Sequence, residues 1–204
     1  MAARPAMRKR GMLIVVSGPS GVGKDTVIGE FLKSSDRCVL SVSATTRTMR
    51  AGEEHGRDYY YFEREDFIKK AQSGHMLEWA EYNGNFYGTP RDTVENEREA
   101  GRHVILIIDV QGAMHVRKIC HEAVLVFIAP PSMGVLRERL IRRASDDADS
   151  IVRRLEIARK EMKKANLYDY IITNQDFRLC AADFGTVIRA ASLSPKHTSL
   201  LTHL

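Results

Sequence analysis

The chain has 204 residues, enough to bury a continuous core within one domain. Its content of 44% hydrophobic and 28% charged residues is ordinary for a globular domain and argues against a disordered chain. No apolar run approaches the roughly 20 residues that span a bilayer, and the basic start, MAARPAMRKRG, lacks the apolar stretch of a secretory signal. We therefore expect no association with membranes.

The cysteines indicate the cellular compartment, and the distribution of charge indicates the class of ligand. Cys38, Cys120 and Cys180 are far apart and lie outside metal-ligand spacing, which indicates free thiols in a reducing cytoplasm. The formal net charge is +5, and the arginines group in residues 47–64 and 137–159, interleaved with acids. That pattern suits a compact anionic ligand at least as well as a nucleic-acid backbone, and we expect no nucleic-acid partner. The sequence carries no signal for the oligomeric state.

Short apolar runs separated by helical patterns predict an α/β core. The runs lie at residues 12–17, 38–42, 103–109, 123–129 and 169–173. They are continuous and rich in β-branched residues, as in the strands of a parallel sheet that are buried on both faces. The helical patterns between them lie at about residues 26–33, 151–165 and 177–191. This alternation predicts a five-stranded parallel sheet flanked by helices.

Residues 43–89 interrupt the alternation. Their aromatic segments, GRDYYYFE, MLEWAEY and NFYGTP, are short and separated by glycine, asparagine and charged residues. This composition predicts a small antiparallel or mixed sheet inserted into the core. We expect some of the aromatic residues to pack within this lobe rather than bind a ligand, namely Tyr60, Tyr61, Phe62 and Trp79. We expect Arg57 and Arg64 to be solvated.

The stretch GPSGVGKDT, residues 18–26, nearly matches the phosphate-binding pattern G-x-x-x-x-G-K-[ST]. It follows a predicted strand and opens a predicted helix, so backbone N–H groups and the helix N-terminus would face an anion. Lys24 can then reach the β- and γ-phosphates of a nucleotide. The alternative is a glycine-rich turn that binds nothing, which the strand–loop–helix context disfavours. The predicted ATP-binding residues of this stretch are Gly18, Pro19, Ser20, Gly21, Val22, Gly23, Lys24, Asp25 and Thr26.

Asp25 stands where the pattern has a hydroxyl residue that helps to hold Mg²⁺. A carboxylate beside triphosphate oxygens is repelled unless a cation or a hydrogen-bond donor lies nearby. Asp25 could face the metal ion, or it could favour the helix N-terminus with its side chain turned away from the nucleotide. The loop sequence leaves both possibilities open.

Further segments, taken with this loop, resemble the guanylate kinases, a family of P-loop nucleoside monophosphate kinases. The matching segments are SVSATTRTMRAGEEHGRDYYYF, LEWAEYNGNFYGT, IDVQGA, RLIRRASDDADSIVRRL and YDYIITNQDF. They extend in register from about residue 13 to about residue 190. The resemblance implies a P-loop kinase fold with a parallel five-stranded core sheet, a small inserted mixed β lobe that binds GMP, and a helical lid.

Composition and resemblance together predict the domain limits. We expect a flexible basic tail at residues 1–10, a single domain at 11–192 and a C-terminal tail at 193–204. Within the domain, the GMP-binding insertion would lie at about 43–98 and the lid at about 137–155.

The insertion contains residues suited to the phosphate of a nucleoside monophosphate. Arg47 and Arg50 are spaced to converge on this dianionic group, because guanidinium groups bind such anions in a bidentate manner. Tyr59 and Tyr87 can add phenolic donors. The resemblance implies that all of these residues bind GMP.

Guanine presents N–H donors beside a carbonyl acceptor, which requires a carboxylate next to hydroxyl donors. Glu78 offers the carboxylate, and Ser43 and Thr89 offer the hydroxyls. Adenine would leave such a carboxylate unpaired, which is costly in a dry site. The resemblance implies that Glu53 and Asp109 also lie near the acceptor nucleotide.

The arginines of residues 137–155 allow more than one interpretation. A cationic helix face is ordinarily solvated and paired with nearby acids. Phosphoryl transfer, however, spreads negative charge over oxygens that arginines from a closing lid can neutralise. The resemblance implies catalytic roles for Arg143 and Arg154, and contacts of Arg139 and Asn174 with the donor base.

A second departure from the family pattern lies at Ile107, where an acid usually stands before Asp109. We hypothesise that Asp25 compensates for this loss by contacting Mg²⁺ from the phosphate loop, through water.

The sequence thus indicates a Mg²⁺-dependent guanylate kinase that transfers a phosphoryl group from ATP to GMP, with Lys24, Arg143 and Arg154 as its catalytic residues. One alternative is a guanylate-kinase-like binding module that has lost catalysis. The two departures favour it, whereas the intact phosphate loop and the lid arginines count against it. The other alternative is a related small-molecule kinase with another phosphorylated acceptor, which the guanine-reading residues count against.

Overall fold

A computed structural model describes residues 10–82, 84–142 and 148–197. Along the chain its elements are β1 (Leu13–Ser17), α1 (Lys24–Leu32), β2 (Cys38–Leu40), β3 (Ala44–Thr45), β4 (Tyr60–Tyr61), α2 (Arg64–Gln72), β5 (Met76–Tyr82), β6 (Asn85–Pro90), α3 (Arg91–Glu99), β7 (His103–Ile107), α4 (Val110–Ile119), β8 (Val124–Ala129), α5 (Met133–Arg142), α6 (Ala148–Met162), β9 (Tyr170–Thr173) and α7 (Phe177–Ser192). In these ranges no helix has both the length and the apolar content needed to cross a bilayer.

The larger sheet has five strands within the described ranges, in the order β2-β7-β1-β8-β9. The pairs β1–β8, β8–β9 and β2–β7 are parallel, with Ile14 opposite Val124 and Cys38 opposite His103. Every residue of β1 and β8 is buried, as expected for strands with both faces covered. The predicted five-stranded parallel sheet is therefore confirmed.

The helices differ from the predictions mainly at their ends. α1 begins at Lys24 rather than at residue 26, directly after Gly23, which adopts a left-handed conformation at φ 96°. α6 ends at Met162 rather than at residue 165, because the chain tightens there and the Lys164 N–H binds the Glu161 carbonyl three residues back. α7 matches its predicted range closely.

Contacts between residues divide the chain into two compact units. The first comprises the described parts of Met1–Leu13 and Arg37–Leu106, and it contains the smaller sheet with α2 and α3. The second comprises the described parts of Ile14–Asp36 and Ile107–Leu204, and it contains the GPSGVGKDT stretch, α1 and the helices from α4 to α7. The domain, insertion and lid limits expected from the sequence remain predictions.

The smaller sheet has its strands in the order β4-β3-β6-β5 within the described residues of the first unit. β3 is parallel to β4 and antiparallel to β6, and β5 is antiparallel to β6, so the sheet is mixed, as predicted. Phe67 and Phe86 stack in its core, with ring centroids 5.5 Å apart. Tyr60 and Phe62 pack against this core, which confirms their predicted place.

Gly88 on β6 lies where β5 and α2 come closest to the strand. A Cβ at this position would lie 2.7 Å from the Glu78 carbonyl oxygen, 2.9 Å from Trp79 Cβ and 3.1 Å from Phe67 Cζ. Trp79 is 48% exposed and meets Phe86 edge to face at 5.6 Å. The prediction that Trp79 packs within the lobe is therefore wrong for much of its surface.

We expect Gly88→Ala to lower the free energy of unfolding by about 1–3 kcal/mol, because the added methyl group meets the Glu78 carbonyl oxygen of the paired strand and the side chains of Trp79 and Phe67. Gly29→Ala in α1 is the matched control, since open space surrounds that position, and alanine should stabilise the helix there by about 0.5–1 kcal/mol. Urea denaturation of the three proteins measures both effects. If Gly88→Ala and Gly29→Ala changed the free energy of unfolding in the same direction, the steric explanation would be contradicted.

Candidate active site

The GPSGVGKDT stretch forms a tight loop between β1 and α1. Gly18 has φ 146°, and a Cβ there would lie 2.1 Å from the Ile128 carbonyl oxygen, so no other residue fits without displacing β8. The Val22 N–H binds the Pro19 carbonyl at 3.1 Å and closes the turn. α1 begins immediately afterwards, so its N-terminal backbone donors and its dipole favour an anion at this loop.

Lys24 lies over the loop that precedes it. Its Nζ donates to the carbonyl oxygens of Gly18 at 2.7 Å and Pro19 at 3.2 Å. These bonds hold the ammonium group at the mouth of the loop, where a phosphate would bind. The predicted place of Lys24 beside the phosphate-binding N–H groups is thus compatible with the observed geometry.

The Val22 carbonyl is held by side chains from two other segments. Arg139 on α5 donates one guanidinium N–H to Val22 at 3.1 Å and another to the Asn174 carbonyl at 2.9 Å. The Asn174 amide donates to the same Val22 carbonyl at 2.8 Å and is almost fully buried. Arg139 and Asn174, which the resemblance assigns to the donor base, therefore also position the phosphate loop.

A cavity of about 410 Å³ adjoins this network. Its lining includes Gly21, Thr26, Arg139, Arg142, Asn174 and Phe177. Arg142 and Phe177 were not among the predicted site residues. The spacing of Arg139 and Arg142, three apart on one helix, was the available signal, because such residues share a face.

The predicted lid arginines are described only in part. Arg154 on α6 donates to the Ser20 hydroxyl at 2.7 Å, so it contacts the phosphate loop directly. Arg143 lies outside the described residues. A guanidinium group at Ser20 adds positive charge where phosphate oxygens would lie.

Asp25 and Thr26 are exposed in the first turn of α1. A carboxylate in this turn favours the helix N-terminus electrostatically. In the part of the chain that the structure describes, no group of three histidine, cysteine or acidic residues could hold a metal ion.

In the first unit, Arg47 and Glu53 form the centre of a polar cluster. Two guanidinium N–H groups of Arg47 donate to the Glu53 carboxylate at 3.0 and 2.7 Å, and the Arg50 backbone N–H donates at 2.8 Å. The bonds from Arg47 and then from Arg50 lower the pKa of Glu53 to about 2, and the bond to Glu53 raises the pKa of Arg47. Arg50 is exposed and joins the cluster through its backbone.

Aromatic rings surround this ion pair. The guanidinium carbon of Arg47 lies 5.5 Å from the ring centroid of Tyr59, and Tyr59 meets Tyr87 at 6.2 Å. The Tyr61 hydroxyl donates to Glu53 at 2.8 Å. Tyr61 thus lies among residues of its own lobe, as predicted, and it also donates a hydrogen bond there, which was not predicted from the sequence. Strand alternation was the missed signal, since residues 59 and 61 share a face whereas Tyr60 faces the core.

Glu78 and Thr89 form a second polar pair in the same unit. They are opposite each other on β5 and β6, and the Thr89 hydroxyl donates to Glu78 at 2.6 Å. Glu78 is 8% exposed and Thr89 is 1% exposed. A carboxylate this deeply buried is stable only when donors satisfy it.

The remaining predicted residues have defined local positions. Ser43 is half-buried and precedes β3, and its carbonyl accepts from the Tyr60 N–H at 2.8 Å. Asp109 belongs to the second unit and caps α4 by accepting from the Gly112 N–H at 2.7 Å.

Arg57 is solvated and paired with neighbouring acids, as predicted. Arg64 is half exposed but also stacks on Phe86 at 4.3 Å.

We expect the stability difference between the wild type and Glu53→Gln to depend on pH. The pKa of Glu53 falls from its ordinary value of 4.5 to about 2 in the folded state. Its carboxylate therefore stabilises the fold fully above pH 4.5, and this contribution is lost as the pH falls toward 2. Urea denaturation at intervals across this range measures the difference, with Glu54→Gln as a control for removing one charge from the same loop. A difference that stays constant with pH would contradict the assigned ion pair.

Comparison with known proteins gives a consistent result. The guanylate kinase family model matches residues 10–191. The chain is 43% identical over 190 residues to a guanylate kinase of Carboxydothermus hydrogenoformans, covering 93% of each chain. It is 45% identical over 184 residues to a guanylate kinase of Lactococcus lactis, covering 90% of each.

The fold agrees with the sequence matches. The crystal structure of guanylate kinase from Anaplasma phagocytophilum superposes with a TM-score of 0.76 at 35% identity, over 98% of this chain and 96% of that one. Because sequence and fold match over nearly the whole chain, this protein belongs to the guanylate kinase family.

Proposed function

We propose that this protein transfers the γ-phosphoryl group of ATP to GMP, giving ADP and GDP. The observation that carries the proposal is the buried Glu78 carboxylate with its 2.6 Å bond from Thr89. Guanine can present its N1–H and amino donors to such a carboxylate. Adenine presents an acceptor nitrogen in place of N1–H and would leave the carboxylate poorly satisfied.

The cluster around Arg47 supports a dianionic acceptor. Glu53, which itself accepts from the Tyr61 hydroxyl, holds the Arg47 guanidinium group in one orientation. An oriented guanidinium binds a phosphate with little loss of side-chain entropy. Tyr59 and Tyr87 lie beside it and can donate phenolic hydrogen bonds. We assign the GMP phosphate to these residues with Arg50, and Ser43 and Asp109 to the rest of the acceptor nucleotide.

The donor nucleotide is assigned to the phosphate loop. The backbone N–H groups between Gly18 and Thr26, other than at Pro19, which has none, would bind the β- and γ-phosphates together with the Lys24 ammonium. Arg154 contacts Ser20, and we assign to it, with Arg143, the neutralisation of charge on the transferring group. Arg139 and Asn174 would contact the base while they hold the loop.

The reaction needs positioning more than acid–base chemistry. A phosphate oxygen of GMP attacks the γ-phosphorus, and the bond from that phosphorus to the bridging oxygen of ADP breaks, so the electron pair leaves with ADP. Negative charge spreads over the equatorial oxygens during transfer. Lys24, Arg143 and Arg154 would stabilise that charge and orient the donor.

The residues at the loop fit Mg²⁺ that arrives with the nucleotide. This ion keeps several waters and takes most other ligands from phosphate oxygens, so a cluster of protein ligands is unnecessary. Asp25, exposed next to Lys24, would contact it through water, and the ion would neutralise phosphate charge. We place the reaction in the cytoplasm, which the wide spacing of three buried cysteines supports.

We expect Glu78→Gln to lower kcat/KM for GMP by about 10- to 100-fold, since the amide presents an N–H group where guanine needs an acceptor. A coupled ADP-release assay with GMP, dGMP, AMP and no acceptor measures this. Glu81→Gln, an exposed acid of the same strand, is the matched control and should behave as the wild type.

The same assay tests the proposed function itself. The wild type should release ADP rapidly with GMP and poorly with AMP or without acceptor. Absence of GMP-stimulated turnover would refute the proposal and would favour the alternative, a guanylate-kinase-like binding module that has lost catalysis. Turnover with another phosphorylated compound in preference to GMP would favour the second alternative, a related small-molecule kinase with a different phosphorylated acceptor.

We expect Asp25→Ser to raise the Mg²⁺ concentration required for half-maximal activity several-fold, because a serine hydroxyl attracts the hydrated ion less strongly than a carboxylate. The measurement is a Mg²⁺ titration at fixed ATP and GMP. Asp36→Ser, an exposed acid beyond the end of α1, controls for the loss of charge. An unchanged Mg²⁺ dependence with full activity would refute the role of Asp25.

A further inference from the structure

Residues 47–53 form a loop whose two arginines are joined through Glu53. The Glu53 carboxylate accepts from two nitrogens of the Arg47 guanidinium group and from the Arg50 backbone N–H. The Glu53 N–H in turn donates to the Arg50 carbonyl at 3.1 Å. The side chains of Arg47 and Glu53 are 14% and 20% exposed, so this ion pair is largely shielded from solvent. Arg47 and Arg50, the residues assigned to the GMP phosphate, therefore depend on the position of one carboxylate.

Arg47 commits three of its five N–H groups to contacts within this loop. Nη1 donates to Glu53 and to the Thr48 carbonyl at 2.8 Å, and Nη2 donates to Glu53. The two other N–H groups, one on Nε and one on Nη2, lie side by side on the adjacent edge of the planar guanidinium group. That edge has the fork geometry that binds two oxygens of one phosphate. A rotation of the Glu53 carboxylate would therefore turn the phosphate-binding edge of Arg47.

Tyr61 ties this loop to the smaller sheet. Its hydroxyl donates to Glu53 Oε2 at 2.8 Å, and among the described residues it is the one donor to that carboxylate from outside residues 47–53. The backbone of Tyr61 belongs to β4, where it pairs with Thr45 of β3. Thr45 is fully buried, and its hydroxyl accepts from the Arg47 N–H at 3.1 Å. The strand pair thus fixes both ends of the contacts that run from Tyr61 through Glu53 to Arg47.

The ring and the hydroxyl of Tyr61 make separate contributions. The guanidinium carbon of Arg47 lies 5.9 Å from the Tyr61 ring centroid, and the Tyr59 ring meets the Tyr61 ring at 6.0 Å. A phenylalanine would supply these ring contacts equally well. Packing within the lobe therefore does not require the hydroxyl, whose observed partner is a charged carboxylate, and hydrogen bonds to charged groups are the stronger ones.

We propose that Tyr61 is a positioning residue for the acceptor phosphate, whose hydroxyl fixes the Glu53 carboxylate and, through it, the phosphate-binding edge of Arg47. The inference rests on the proposed function, because Arg47 is taken as a ligand of the GMP phosphate. Tyr61 acts by keeping the guanidinium group oriented before GMP arrives, which lowers the entropy lost on binding. Removal of the hydroxyl should therefore weaken the binding of GMP and leave the transfer step intact.

The test compares Tyr61→Phe with Tyr82→Phe, which removes the hydroxyl of a 67% exposed tyrosine of the same sheet. We expect the KM for GMP to rise about 3- to 10-fold in Tyr61→Phe only, because one hydrogen bond to a charged group is lost. The kcat and the KM for ATP should stay at their wild-type values, since the change is confined to the acceptor site.

Guanosine separates an effect on the phosphate from an effect on the whole acceptor site, because it has the base and ribose of GMP but no phosphate. Calorimetry should show weaker binding of GMP to Tyr61→Phe and unchanged binding of guanosine. In an Arg47→Ala background, Tyr61→Phe should cause little further loss of GMP affinity, since the group that it positions has been removed. Replacing Tyr61 with 4-aminophenylalanine, which keeps a donor on the ring, should restore most of the GMP affinity.

The outcomes distinguish this inference from the proposed function. Unchanged GMP affinity in Tyr61→Phe would overturn the inference, and so would an equal loss of affinity for GMP and guanosine. A full additional loss in the Arg47→Ala background would also overturn it, as would failure of Tyr61→Phe to fold, because the hydroxyl would then serve the lobe as a whole. Absence of GMP-dependent turnover in the wild type would refute the proposed function, whereas calorimetry with GMP and guanosine would still test the role of Tyr61.

Discussion

The phosphate loop depends on keeping its own carbonyl groups away from the anion that it is shaped to bind. A loop of backbone amides carries as many C=O groups as N–H groups, and a carbonyl turned toward a phosphate would repel it. Here three of the carbonyls are held by cationic or amide side chains. Lys24 donates to those of Gly18 and Pro19, and Arg139 and Asn174 donate to that of Val22. Donors of the protein itself therefore occupy these three carbonyl oxygens.

Cations act on the carboxyl groups of both Glu53 and Glu161, yet the surroundings of these two residues shift their pKa values in opposite directions. Glu53 accepts several short hydrogen bonds from Arg47, Arg50 and Tyr61, and these outweigh the cost of burial, so the pKa of its carboxyl is lowered. Glu161 has a buried oxygen without a partner, so desolvation outweighs the attraction of Lys24, and the pKa of its carboxyl is raised. The Glu53 carboxylate is therefore a fixed structural charge.

The structure gives the Asp25 side chain a setting that the loop sequence left open. The side chain is exposed in the first turn of α1, where it favours the helix N-terminus and remains accessible to a hydrated ion. These two roles, which were alternatives in the sequence, are compatible in the structure. The loop therefore tolerates an acid where its pattern has a hydroxyl residue.

The sequence by itself determined the parallel sheet, the phosphate loop and the inserted lobe, because continuous apolar runs, glycine spacing and aromatic clusters are local signals. It also predicted Arg47, Glu78 and Thr89 as residues of the acceptor site, because residue type and motif indicate their chemistry. The tertiary structure decided that Tyr61 binds Glu53 and that one carboxylate oxygen of Glu161 is buried without a hydrogen-bond partner. It also decided that Arg139 holds the Val22 carbonyl. These relations depend on which distant segments pack together and on how deeply each group is buried. The residues next to a carboxylate in the sequence determine neither its tertiary packing nor its dielectric environment.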